Sequence, residues 1–87
     1  MPKIEIYSKI VCPYCVNAKN LLKAKGLTWN EVLVDTDPEQ FKIMLERSGN
    51  RRTVPQIFIN DQHIGGFDDL VAADRNGKLA ELIGQSA

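Results

Sequence analysis

In "KIEIYS", Lys3 to Ser8, the isoleucines Ile4 and Ile6 alternate with Glu5 and Tyr7, the period-two pattern of a strand that turns one face to a core. The period then lengthens. From Cys15 to Lys25, one helical face holds Cys15, Ala18, Leu21 and Leu22, and the other holds mostly Asn17, Lys19, Asn20 and Lys23, until Gly26 marks a stop. "TWNEVLVD", Thr28 to Asp35, reads as a second strand, and the helical connection between the two predicts a βαβ unit with parallel strands and a right-handed crossover. Asp37 is placed to cap the next helix, Pro38 suits its first position, and Gln40 can reach back to close a capping box. That helix runs to about Ser48, with Phe41, Met44 and Leu45 as its buried stripe and Gly49 at its end.

"PQIFIN" and "HIGG" flank Asn60 and Asp61, residue types that tolerate positive φ, which predicts a tight hairpin between antiparallel strands. A third helix is expected near Phe67, capped by Asp68, carrying Leu70, Val71 and Ala73 toward the core until Asn76 and Gly77 interrupt it. "KLAELIG" adds a last apolar turn or two. The order β-α-β-α-β-β-α is an α/β arrangement with no repeat, low-complexity stretch or long linker.

Composition narrows this picture to a soluble globular chain. Eighty-seven residues, 44% hydrophobic and 25% charged, predict a single domain over 1–87 with one modest core. Eleven basic residues balance eleven acidic ones, so no net field favours nucleic acid or an anionic membrane. "MPKIEIYSK" is broken by Lys3, Glu5 and Lys9 and lacks the apolar core of a secretory signal, and no stretch approaches a membrane span, so a cytoplasmic chain is expected.

That location bears on the only two cysteines, Cys12 and Cys15 in "IVCPYCVNAK". A reducing cytosol disfavours a structural disulfide, and so short a loop removes little entropy from the unfolded chain. A metal site needs about four ligands. The chain offers the two cysteines and one distant histidine, His63, so no metal centre is expected. Strand, C-x-x-C and helix in succession read instead as a redox site.

"CPYC" after the first strand, "TVPQIFI" at the third and "GGFDDL" at the last helix, in this order and spacing, resemble the glutaredoxins of the small bacterial dithiol type over essentially the whole chain. The resemblance implies a thioredoxin-like fold with a four-stranded mixed sheet, and glutathione-dependent thiol–disulfide exchange. Glutathione would be a co-substrate, with no permanently bound cofactor. Glutathionylated and disulfide-containing proteins would be the partners, a ribonucleotide reductase disulfide among the candidates, and the chain a monomer. Two other classes share the features: a thioredoxin-like redoxin fed by a reductase, and an iron–sulfur carrier in which two chains and two glutathiones hold a cluster.

The roles of the two sulfurs follow from the helix. Cys12 lies just before it, where free N–H groups and the positive end of the macrodipole favour a thiolate, which makes it the nucleophile. Cys15 falls a turn inside, shielded from external disulfides yet able to attack a mixed disulfide on Cys12, as a resolving thiol. Pro13 pre-shapes the turn, and Tyr14 offers a planar wall beside the sulfur.

For the binding frame, the resemblance assigns Lys9 to glutathione and makes Pro55 a cis proline, with Thr53 and Val54 pairing the backbone of glutathione's cysteine. Arg52, ahead of Arg51, would take the glycyl carboxylate. Gly66, with Gly65 before it, allows close approach, and the amides at Phe67 and Asp68 would receive the γ-glutamyl carboxylate. Asp69 would pair with the γ-glutamyl ammonium. Phe67 stands where many relatives carry cysteine, so no third redox thiol is present. His63 and Trp29 read as structural.

Overall fold

A computed structural model describing residues 2–84 places β1 (Ile4–Ser8) inside a four-stranded sheet of order β2-β1-β3-β4. The outermost positions of the expected 1–87 domain lie outside the described residues. β1 runs parallel to β2 (Asn30–Leu33) and antiparallel to β3 (Gln56–Ile59), and β3 pairs antiparallel with β4 (Gln62–Gly65). This mixed sheet with flanking helices is the thioredoxin-like arrangement expected from the sequence.

Both faces of the sheet are covered, which corrects the reading of β1 as a strand with one buried face. Ile4 and Ile6 join Ile57 and Ile59 under α1 (Pro13–Ala24), α3 (Phe67–Arg75) and α4 (Lys78–Leu82), with Ala18, Leu22, Leu70 and Leu79 filling the layer. Tyr7 and Phe58 point the other way and pack with Val34 and with Met44 of α2 (Pro38–Ser48). Their rings meet edge to face at 5.6 Å. Arg47 closes this second layer. Its guanidinium lies 4.0 Å from the Phe58 ring centre, donates to both carboxylate oxygens of Glu5, and donates to the Tyr7 hydroxyl at 2.8 Å. Tyr7 is buried because α2 brings an apolar and cationic cover that the strand's own pattern does not reveal.

Local signals explain the element ends. The Asp37 carboxylate accepts the Glu39 and Gln40 N–H groups, Pro38 fills the first position of α2, and Gly49 ends it at φ 71°. The expected return bond from the Gln40 side chain is not among the hydrogen bonds of the described residues; the cap is one-sided. Asn60 and Asp61, at φ 51° and 66°, make the two-residue hairpin turn, and the Asn60 side chain ties it to Lys3 and Leu82. β2 is shorter than the predicted Thr28–Asp35, and Trp29 instead packs against the first core layer.

Two helix starts bear on the site. α1 begins at Pro13 with Cys12 as its N-cap, as the placement of Cys12 just before the helix anticipated. The cap of α3 is Gly66, not Asp68; Asp68 is exposed in the first turn, and Asp69 reaches back to accept the Gly66 N–H at 2.9 Å. Three residues separate acceptor from donor, the span of a capping-box return, and Asp68 sits one residue short of it.

Candidate active site

The turn from β1 into α1 aims the Cys12 sulfur at its own helix. Cys12 is extended, at φ −154°, Pro13 supplies the fixed first helical residue, and the sulfur accepts the Cys15 N–H at 3.1 Å. Unpaired amides at a helix start hold negative charge, so this geometry stabilises a sulfur anion when the pair is reduced. Cys12 and Cys15 are joined as a disulfide, with Cα atoms 5.2 Å apart. Cys15 is 1% exposed, while Cys12 is only partly covered. An incoming sulfur therefore reaches Cys12 and not its partner. Its neighbours along the chain, Ile10, Val11, Tyr14 and Val16, are all exposed, Val11 to 85%.

Across from the sulfur runs the loop between α2 and β3. The Val54–Pro55 bond is cis, and the Val54 carbonyl oxygen lies 3.9 Å from the Cys12 sulfur. Beside it opens a groove of about 500 Å³, with Arg51, Thr53, Val54 and Pro55 on one wall and residues 66–69 on the other. Tyr14 closes one end, its ring 6.3 Å from that of Phe67.

An ion pair crosses the groove. Arg51 donates to Asp69 at 3.2 Å, on the same carboxylate oxygen that accepts the Gly66 N–H. The Gly66 amide first, and Arg51 with it, hold the Asp69 carboxyl below the ordinary 3.8 against the opposing effect of burial. Arg51 is itself fixed at its backbone: the Ser48 hydroxyl accepts its N–H and donates to its carbonyl. Gly65 lets the two walls meet, because at φ 123° a Cβ there would overlap the Asp69 carboxylate and stand 2.9 Å from the Arg51 guanidinium.

A disulfide at a helix start beside such a groove suits thiol–disulfide exchange, and comparison with known proteins gives the lineage. The glutaredoxin family model matches residues 4–64. The chain belongs to the glutaredoxin family. It is a glutathione-dependent thiol–disulfide oxidoreductase of that family. It is 51% identical to glutaredoxin 3 of Escherichia coli over 83 residues, covering 95% of this chain and 99% of that one. Among solved structures, the glutaredoxin of Brucella melitensis superposes with a TM-score of 0.81 at 47% identity, covering 95% of this chain and 89% of that one. A buckwheat glutaredoxin–glutathione complex superposes at 0.84 with 31% identity, covering 97% and 78%.

Of the glutaredoxin residues expected from the sequence, Tyr14, Thr53, Val54, Pro55, Gly66, Phe67, Asp68 and Asp69 all line the one groove. Lys9 and Arg52 are exposed and lie off its walls. The groove arginine is Arg51, the less favoured of the pair at the sequence level. Arg51 and Arg52 are adjacent and chemically identical, and only the Ser48 clamp and the Asp69 partner select between them. Sequence reasoning also passed over Gln56, which is 0% exposed and donates its amide to Thr53, and the apolar residues Ile10, Val11 and Val16. The clustering of those apolar residues against "CPYC" was the available signal. Burial, opposed by Asp69 and reinforced by the nearby Arg51 and Arg47, pushes His63 below the usual histidine value. Among the described residues no three His, Cys, Asp or Glu side chains gather as a metal would require, and no helix is long and apolar enough to cross a membrane.

Proposed function

We propose that this glutaredoxin binds glutathione in the groove between the Val54 loop and the start of α3, with Cys12 as nucleophile and Cys15 as resolving thiol. The supporting observation is that the partly exposed Cys12 sulfur, held by the Cys15 N–H, faces the Val54 backbone beside that groove. Glutathione's cysteine lies extended against Val54, as a short antiparallel strand. Arg51 takes the glycyl carboxylate. The amides of Phe67 and Asp68 take the γ-glutamyl carboxylate, and the free oxygen of Asp69 takes its ammonium. Lys9 and Arg52 add charge at the approaches.

The Cys12 thiolate attacks the glutathionyl sulfur of a mixed disulfide, and the substrate leaves as thiolate and takes up a proton. A second glutathione thiolate attacks the Cys12–glutathione bond, which releases oxidised glutathione and restores Cys12. With a protein disulfide, Cys12 forms the mixed disulfide with the substrate, Cys15 displaces the substrate as a dithiol, and two glutathiones reopen the Cys12–Cys15 bond. The protein-disulfide cycle moves two electrons from two glutathiones to one disulfide, whereas the mixed-disulfide cycle consumes one free glutathione and joins it to the glutathionyl group taken from the substrate. The exposed side chains Ile10, Val11, Tyr14 and Val16 flank the reacting cysteine along the chain and suit apolar residues beside a substrate protein's cysteine, whether in ribonucleotide reductase or another disulfide protein. The protein acts as a single-domain monomer in the cytoplasm.

The test is turnover of a glutathionylated peptide with glutathione as the sole reductant, monitored by oxidised glutathione. The expected result is saturable catalysis that vanishes in Cys12→Ser. A protein that ignores glutathione but accepts electrons from a thioredoxin reductase would belong to the redoxin alternative instead.

A further inference from the structure

Gln56 is an unusual residue for the middle of a packed sheet. It opens β3, an interior strand, and is 0% exposed, where an aliphatic side chain would fill the space with no polar group to satisfy. Its amide nitrogen donates to the Thr53 carbonyl at 3.0 Å and approaches the Thr53 hydroxyl at 3.3 Å, so the side chain folds back across Val54 and Pro55 and ties the loop into a closed ring. A carbonyl only accepts, so the amide nitrogen must face Thr53 and the amide oxygen must face away. That oxygen meets His63 Nε2 at 2.7 Å. His63 therefore carries its proton on Nε2 and donates it. The imidazole is held in turn by stacking on Phe58, with ring centres 4.9 Å apart.

We infer that Gln56 and His63 are positioning residues for glutathione: together they hold the Thr53–Val54 backbone in the register that the tripeptide pairs with. This inference rests on the binding mode proposed above. Neither residue touches the groove, since neither is on its walls; both act through Thr53. The chain of contacts runs from the hairpin strand β4 through a buried amide to the loop facing Cys12. It fixes two residues whose peptide groups have no strand partner in the sheet, which ends at Gln56. Pre-set pairing groups reduce the ordering cost of binding, so their effect belongs on affinity for glutathione and not on the chemistry of the sulfur.

Gln56→Glu is the decisive variant. It keeps the shape and an acceptor for His63 but removes the donation to Thr53. His63→Phe keeps a ring to stack on Phe58 and removes the donation to the amide. In Gln56→Glu, KM for glutathione should rise about tenfold with kcat within about twofold, and in His63→Phe about threefold. Alkylation of reduced Cys12 by iodoacetamide should keep its wild-type rate in both. In the reduced, ligand-free proteins, amide order parameters of Thr53 and Val54 should fall from rigid values near 0.85 toward about 0.6, with β1 unchanged. An unchanged KM in Gln56→Glu, unchanged order parameters, or a KM rise matched by equal losses in kcat and alkylation would each overturn the inference. Failure of the binding mode itself shows separately, as absence of glutathione saturation in the wild-type protein, and the order parameters judge the Gln56–His63 tie without glutathione.

Discussion

The backbone N–H of Cys15 donates to the sulfur of Cys12, so one redox sulfur caps the helix that buries the other. When the pair is reduced, this one local geometry favours an anion on the first, partly exposed sulfur and leaves the second a shielded neighbour within reach of it. The two cysteines are thereby unequal before any substrate arrives, and the inequality can be measured.

Cys15→Ser should retain reduction of a glutathione mixed disulfide within about threefold, because that cycle uses one protein thiol. It should lose roughly a hundredfold against an intramolecular protein disulfide, where a neighbouring thiol must intercept the mixed disulfide before the substrate recloses. Both activities measured on the one variant decide the matter, and parallel loss would mean that Cys15 serves to shape Cys12.

Arg51 and Arg52 should separate in kinetics. Arg51→Gln removes the cation on the groove wall and should raise KM for glutathione about tenfold, the scale of a hydrogen bond to a charged group. Arg52→Gln, on an exposed residue off the groove, should change it less than about twofold. Saturation curves for the two variants check this, and equal effects would refute the structural choice of Arg51.

Gly65→Ala should destabilise the protein by about 1–3 kcal/mol, the scale of a side chain forced into a disfavoured backbone region. The added methyl would also displace the Asp69 carboxylate and crowd Arg51, so glutathione KM should rise together with the loss of stability. Urea denaturation and steady-state kinetics give the two readings.

Asp69 should leave a signature in acid. Its carboxyl is held below 3.8 chiefly by the Gly66 N–H and also by Arg51, so its ionised form is favoured by the fold. A depressed carboxyl contributes stability that is present above the unfolded value and is lost as pH falls through the lower folded value. Wild type should therefore exceed Asp69→Asn in stability at pH 7, and the gap should close as the pH falls below 3.8. The carboxylate is 47% exposed, so the gap is small and shrinks further in high salt. Denaturation of both proteins at pH 7 and below pH 3.8 tests the sign; a gap that widens in acid would contradict it.

What the sequence determined by itself was everything carried by short-range geometry. Pro38 after Asp37, Asn60 beside Asp61, and Pro13 after Cys12 each set a helix start or a turn through groups a few bonds apart, and those elements stand where the pattern put them. The alternation of Ile57, Phe58 and Ile59 likewise allots successive side chains to opposite faces of the sheet. What only the tertiary structure decided were the meetings of distant segments. Tyr7 is buried because α2 brings Met44 and Arg47 over it; Arg51 was chosen over Arg52 by Ser48 below and Asp69 across the groove; Asp69, not Asp68, reaches the Gly66 amide where α3 turns in toward the loop; and Gln56 finds His63 through the register of a hairpin. Neighbouring residues of like chemistry are equivalent in a linear pattern. They become distinct only when packing brings a specific donor or acceptor to one of them.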